Sequence, residues 1–181
     1  MRDSDIEEHL DRVLFTEEQV AQRVKELAEQ VDRDYEGKRI VLIGILKGAM
    51  MIMADLSRAM KSDVVIDWMA VSSYGGNMKS SGVVRILKDL DVDIQGRDVL
   101  IVEDVLDTGL TLQWVMRNLE SRNPNSLELL SLLRKPKARE NRSEAKYVGF
   151  DIDDDFVIGY GMDFSERYRN LSSVAILRSE Q

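Results

Sequence analysis

Residues 99–102 are Val-Leu-Ile-Val, an unbroken apolar run, and the chain turns soon afterwards into a helical pattern of Leu112, Val115, Met116 and Leu119. That order of strand, tight turn and helix constrains the fold more than any other feature. A β-branched run with no polar alternation reads as a strand buried on both faces, and such strands belong in parallel sheets. Glu103 and Asp104 follow at its carboxyl end, then Asp107-Thr108-Gly109-Leu110-Thr111, small and hydroxyl-bearing. A strand end, a turn and a helix N-terminus together make an anion site. The first helical amides point outward, the helix dipole adds partial positive charge, and Gly109 lets the backbone approach a phosphate. Thr108 and Thr111 can add hydroxyl donors. Three acids beside such a cradle call for something polar or cationic between them, and a ribose diol or Mg²⁺ would serve. Taken singly, each residue reads as part of a solvated acidic turn with Thr111 as a helix N-cap. The ordered combination is far more specific.

The same order recurs at residues 40–45, an apolar run followed by Leu46-Lys47-Gly48-Ala49 and a helical pattern through Met60. Two such units favour a right-handed parallel α/β arrangement, in which ligands bind beyond the carboxyl ends of the strands at a switch in strand order. Both turns would lie at that edge. Neither has Walker A spacing, and no Gly-x-Gly-x-x-Gly occurs. Met50, Met51, Met53 and Met60 read as core filler rather than cofactor contacts. Thr16 with Gln19 forms a capping-box pattern, and Val20, Val24, Leu27 and Val31 then predict an amphipathic helix over 17–34. Strands are predicted over 63–71, 83–87, 127–133 and 147–150, with residues 1–15 packing as an arm. The acidic stretch 151–155 is not a calcium loop. Phe156 stands where an EF-hand needs glycine, and no glutamate closes the loop.

At 181 residues the chain suits a single domain with a substantial core. Its net charge of −8 repels nucleic acid and anionic membranes. It would repel a polyphosphate substrate too, so such a substrate needs local amides, a few cations and a divalent ion. The absence of cysteine excludes disulfides, thiolate metal sites and a cysteine nucleophile. His9 is the only histidine and reads as a solvated surface residue, which makes His-based metal or triad chemistry improbable. No apolar run approaches the ~20 residues of a membrane span, and the first residues are acidic and mixed, unlike a signal peptide. The cytoplasm is the expected compartment. No repeat appears, and the two prolines mark no interdomain linker.

The stretch 98–112 closely resembles the phosphoribosyl-diphosphate (PRPP) motif of type I phosphoribosyltransferases, and the Asp at 107 resembles their hypoxanthine-guanine branch. Agreement runs from Leu46 to Leu171. Leu46-Lys47-Gly48 resembles the family's pyrophosphate-binding loop, in which the bond before the lysine is often a non-proline cis peptide. Ser73-Tyr74-Gly75 resembles the mobile loop that closes over the reacting centre. Lys135 matches the lysine that donates to the purine 6-oxo group, with Arg134 and Lys137 as close competitors. Residues 156–164 are a second strong likeness. In it Phe156 stacks on the purine, Val157 offers backbone groups to the base edge, and Asp163 contacts Mg²⁺ near the base. Arg169 takes the place of a pyrophosphate-binding arginine, while Phe164 departs from the commoner tyrosine.

The resemblance implies the type I phosphoribosyltransferase fold, α/β with a central parallel sheet flanked by helices. Residues 1–181 would form one domain, with a small hood built partly from the N-terminal arm and from residues after about 135. The implied reaction transfers 5-phosphoribosyl from PRPP to N9 of hypoxanthine or guanine, giving IMP or GMP and pyrophosphate. Glu103, Asp104, Asp107, Thr108, Gly109, Leu110 and Thr111 would hold the 5′-phosphate and ribose, and Asp107 would act as general base at purine N7. Lys47, Gly48 and Arg169 would hold pyrophosphate, with Mg²⁺ on Glu103, Asp104 and Asp163. A homodimer or homotetramer is expected from the family alone, with no nucleic-acid or membrane partner. Three alternatives stay open, one of them a non-catalytic nucleotide sensor that binds without turnover. A regulatory RNA-binding protein of the pyrimidine-attenuator type can keep this fold, although Asp107 and the charge of −8 count against it. A guanine-xanthine transferase is the nearer competitor, since these residues do not rank hypoxanthine, guanine and xanthine.

Overall fold

Six strands form the main sheet, in the spatial order β4 (Val84–Lys88), β3 (Val64–Ser73), β2 (Ile40–Leu46), β5 (Asp98–Leu106), β6 (Ser126–Arg134) and β7 (Tyr147–Asp151). The structure is a computed structural model and describes residues 3, 6–73, 84–140 and 145–178. Every pairing in the sheet is parallel except that of β3 with β4, so the expectation of a parallel sheet fails at one edge. Only ten residues lie between the end of β3 and the start of β4, fewer than the crossover a parallel pair needs, so the two strands pair antiparallel.

Successive residues of the central strands go to different cores. Leu42, Leu100, Val102, Leu130 and Leu132 pack with α1 (Glu17–Asp34) and α2 (Met50–Ala59) on one face. Val41, Ile43, Val99, Ile101 and Leu129 pack with Leu112, Val115 and Leu119 of α3 (Leu110–Glu120) on the other. Side chains alternate across a strand, so a sheet covered on both faces requires apolar residues at consecutive positions. That is why the runs carry no polar alternation.

The helix α1 has the predicted bounds. The Gln19 amide donates to Thr16 Oγ1 at 3.3 Å, and the Thr16 amide donates to Gln19 Oε1 at 2.9 Å, completing the capping box. Other elements correct the expectations. The strand β5 does not stop before the acids but runs through them to Leu106, because β6 continues alongside and pairs Glu103 with Ser131 and Val105 with Leu133. Gly109, at φ 74°, holds the N-cap position of α3, and Thr111 lies inside the first turn. The second helix ends at Ala59 with Met60 as its C-cap. Met53 and Met60 are buried as expected, whereas Met50 is exposed. The predicted strand over 63–71 runs Val64–Ser73, and the one over 83–87 is described from Val84. Of the Ser73-Tyr74-Gly75 loop, Ser73 ends β3, and Tyr74 and Gly75 lie outside the described residues. His9 is exposed, 3.6 Å from Glu8.

A second sheet sits over the carboxyl edge of the first, with β9 (Val174–Leu177) between β1 (Leu10–Phe15) and β8 (Val157–Ile158), all antiparallel. Ile6, Leu10, Ile158, Tyr168, Leu171 and Ala175 form its own small core. The late strand β7 belongs to the main sheet, so of the late strands only β8 and β9 join β1 in this hood. A short helix, α4 (Pro136–Glu140), follows β6. Phe15 stacks on Phe150 with ring centroids 3.9 Å apart, joining hood to main sheet. Among the described residues, no helix is long and apolar enough to cross a membrane.

Candidate active site

The neighbours β2 and β5 are followed by α2 on one face and α3 on the other, which opens a crevice beyond their carboxyl ends. Lys47 and Gly48 leave β2 on one side of it, and the Leu46–Lys47 peptide bond is cis, the form the resemblance implied. No side chain fits where the walls meet. A Cβ on Gly48 would lie 1.8 Å from Asp104 Oδ2, and one on Gly161 would lie 2.1 Å from the Gly48 carbonyl oxygen. The loop after β2 therefore meets the turn after β8 backbone to backbone, and the Asp104 side chain of β5 lies directly against the Gly48 backbone. That contact brings Asp163 and Arg169 of the hood over the sheet edge.

Glu103 and Asp104 are adjacent in β5 and so project to opposite faces. Desolvation in the crevice pushes the Glu103 carboxyl well above its ordinary range, and the Asp104 charge adds to that. Desolvation raises Asp104 as well. Hydrogen bonds from backbone amides, including Val105 N–H at 2.8 Å, and the Arg169 charge pull it back in part, while Asp163 pushes it up. These are carboxylates short of positive charge, and their donor chemistry fits Mg²⁺, which takes one or two carboxylates and fills its remaining positions with water and substrate phosphate. Among the described residues, no group of three or more His, Asp or Glu side chains converges on a metal position. Glu103, Asp104 and Asp163 are thus not a preassembled three-ligand cage.

Asp107 stands where β5 gives way to α3. Its Oδ2 lies 3.5 Å from Lys135 Nζ, while its Oδ1 is buried and has no hydrogen-bond partner among the described residues. The lysine itself is buried at the end of β6, and its backbone amide donates to the Leu106 carbonyl at 2.9 Å. Its competitors point elsewhere. Arg134 donates twice to Asp151, at 2.7 and 3.1 Å, and Lys137 donates to Asp154 at 2.6 Å. Leu110 is exposed in the first turn of α3, beside Gly109 at the N-cap and Thr108 before it.

The hood supplies the rest. Phe156 is 57% exposed and Phe164 51% exposed, their rings edge to face at 5.9 Å, so neither is a core aromatic. Val157 is buried in β8. Arg169 pairs with Asp163 at 2.7 Å and donates to the Gly161 carbonyl at 2.8 Å. Two neighbours escaped the sequence reading. Glu166 lies 2.9 Å from Lys47 Nζ and 3.3 Å from Arg169, and its spacing of three from both Asp163 and Arg169 was the available signal. Asp154 lies 3.9 Å from Lys135 Nζ, and nothing in the sequence pointed to that.

The phosphoribosyl transferase domain family matches residues 13–165 of this chain. The hypoxanthine-guanine phosphoribosyltransferase of Mycobacterium tuberculosis (strain H37Rv) is 56% identical over 171 residues, covering 91% of this chain and 85% of that protein. The crystal structure of a Staphylococcus aureus hypoxanthine phosphoribosyltransferase superposes with a TM-score of 0.92 at 48% identity, covering 97% of this chain and 96% of that one. A third likeness is Trypanosoma cruzi hypoxanthine phosphoribosyl transferase, solved to address the role of its C-terminal region in oligomeric state and enzymatic activity. Its TM-score is 0.88 at 41% identity, over 94% of this chain and 93% of that one. The chain belongs to the phosphoribosyl transferase family and, within it, to the hypoxanthine-guanine phosphoribosyltransferases.

Proposed function

We propose that this enzyme transfers the 5-phosphoribosyl group of PRPP to N9 of hypoxanthine or guanine, releasing pyrophosphate and forming IMP or GMP for purine salvage. The observation that carries the reading is Asp107, whose buried Oδ1 has no partner among the described residues while Oδ2 faces Lys135. A carboxylate oxygen left unpaired at a strand end is poised to accept a proton.

The remaining roles follow from position. The first amides of α3, with Thr108 and Thr111, hold the 5′-phosphate. Glu103 and Asp104, on opposite faces at the end of β5, flank the ribose hydroxyls, and in the ionised form their carboxylates stabilise the cationic sugar that forms as the bond to pyrophosphate breaks. Lys47, Gly48 and Arg169 receive the pyrophosphate. The exposed ring of Phe156 stacks on the purine, Val157 offers its backbone to the base edge, and Lys135 donates to the 6-oxo group. As N9 bonds to the sugar, Asp107 takes the proton from N7. When bound, Mg²⁺ on Glu103, Asp104 or Asp163 offsets the charge of the pyrophosphate leaving group. Ser73, Tyr74 and Gly75 would help to exclude water during the step. We place the enzyme in the cytoplasm as a homodimer or homotetramer; the family supports either assembly, and solution scattering decides between them.

The test is pyrophosphate release from PRPP and MgCl₂ with hypoxanthine, guanine, xanthine and adenine offered separately. Release with hypoxanthine or guanine and none with adenine is expected. Silence with all four from folded protein would overturn the proposal, and fastest release with xanthine would move it to the guanine-xanthine class.

A further inference from the structure

Glu166 has no part in the reaction as described, yet it holds both side chains assigned to pyrophosphate. Its Oε2 lies 2.9 Å from Lys47 Nζ, which comes from the loop after β2, and 3.3 Å from Arg169 Nη2 in the hood. One anionic oxygen thus bridges two cations from different parts of the chain, as an oxygen of pyrophosphate would. Packing does not put it there, since Lys47 is 64% and Glu166 65% exposed. The turn does. Ser165 and Glu166 adopt φ of 52° and 64°, the left-handed region that non-glycine residues seldom occupy, and the Glu166 amide donates to Asp163 Oδ2 at 2.8 Å. That conformation aims the carboxylate back at the cations rather than out to water.

We propose that Glu166 is an internal substitute for pyrophosphate. It occupies Lys47 and Arg169 while the subsite is empty, yields to the incoming diphosphate of PRPP, and competes again for the two cations when pyrophosphate leaves. Arg169 keeps its Asp163 partner throughout, 2.7 Å away, so only one carboxylate moves. The exchange is feasible because solvent-exposed ion pairs are weak and are readily traded for another oxyanion. The inference rests on the assignment of Lys47 and Arg169 to pyrophosphate.

The experiment is calorimetric titration of inorganic pyrophosphate with MgCl₂ into the wild-type enzyme, Glu166→Gln, Lys47→Ala and the double variant, each checked for folding by thermal unfolding. Removing the competitor tightens pyrophosphate binding by about three- to tenfold, the range expected for two exposed ion pairs. Lys47→Ala weakens binding, and the gain from Glu166→Gln shrinks in that background because half of the competition is already gone. Glu166→Ala gives the same sign as Glu166→Gln. In turnover, the same change lowers KM for PRPP without raising kcat. A merely structural glutamate would do the opposite, since losing it would loosen the cations and weaken binding. Unchanged or weaker binding by Glu166→Gln, with Lys47→Ala still weakening it, overturns the inference alone. No binding by the wild type, or no effect of Lys47→Ala, overturns the pyrophosphate assignment and this inference with it.

Discussion

At the hood end of the crevice, Lys47, Asp163, Glu166 and Arg169 neutralise one another, and Lys47 and Glu166 reach each other across 119 residues of chain. At the sheet end, Asp107 keeps a buried oxygen with no partner among the described residues and has only a 3.5 Å contact to Lys135. On the proposed roles, the difference separates binding from chemistry. A binding cation can wait on an internal carboxylate and exchange it for a substrate oxyanion, because it is paired in both states. A proton acceptor must keep a lone pair free, even though burying an unsatisfied polar atom costs about 1–3 kcal/mol. The hood end keeps one reserve of its own, since Arg169 Nε is also buried without a partner among the described residues.

Four measurements bear on that contrast. The largest effect is expected from Asp107→Asn, which removes the acceptor while keeping the shape. It should lower kcat by ~10²–10⁴-fold with PRPP still binding, and near-normal turnover would break the distinction. Next comes Gly48→Ala. A Cβ 1.8 Å from Asp104 Oδ2 forces that carboxylate or the loop to move, and displacements of about 1 Å at a reacting centre cost on the order of 10²-fold in kcat/KM. Steady-state kinetics at unchanged melting temperature would register it. For Phe156→Ala, loss of a stacking platform should weaken purine binding by about 1–3 kcal/mol. The ring is 57% exposed, so stability should stay within about 0.5 kcal/mol, which purine titration and thermal unfolding together check.

The smallest effect on turnover is expected in the scaffold, which serves as a control. Asp67 in β3 is 4% exposed and accepts from the backbone amides of Trp68, Asp91 and Val92 at 2.7, 2.8 and 2.9 Å. Burial pushes its carboxyl up, but those three amides and Lys88 outweigh it and hold the carboxyl below the usual value. A depressed folded pKa contributes stability that is present above the unfolded value, near 3.9, and is lost as pH falls through the folded one. Asp67→Asn should therefore lower stability by about 1–3 kcal/mol at neutral pH. The gap to wild type should narrow below about pH 4 in a series of thermal melts. A gap that widened in acid would mean that folding raises the Asp67 carboxyl instead.

Much of this was legible in one dimension. The runs at 40–45 and 99–102 determine a doubly covered sheet, because unbroken apolar strands have no face to offer water. Thr16 and Gln19 determine where α1 begins, because capping is a contact between residues three apart. The turn Asp107 to Thr111 reads as an anion site for the same reason: its amides, hydroxyls and glycine are neighbours in sequence. Where strands end was less legible. The length of β5 depends on how far β6 runs beside it, and that is a property of two distant segments.

Only the tertiary structure decided which charges meet. Lys135 meets Asp107, while Arg134 and Lys137 find Asp151 and Asp154. The pairing of Lys47 with Glu166 came from the hood folding over the sheet edge, with Gly161 against Gly48. Side chains on a strand or helix are placed by local periodicity, which the order of residues carries. Contacts between elements depend on where the backbone brings them, and a carboxylate chooses its cation only once both are within a few ångströms.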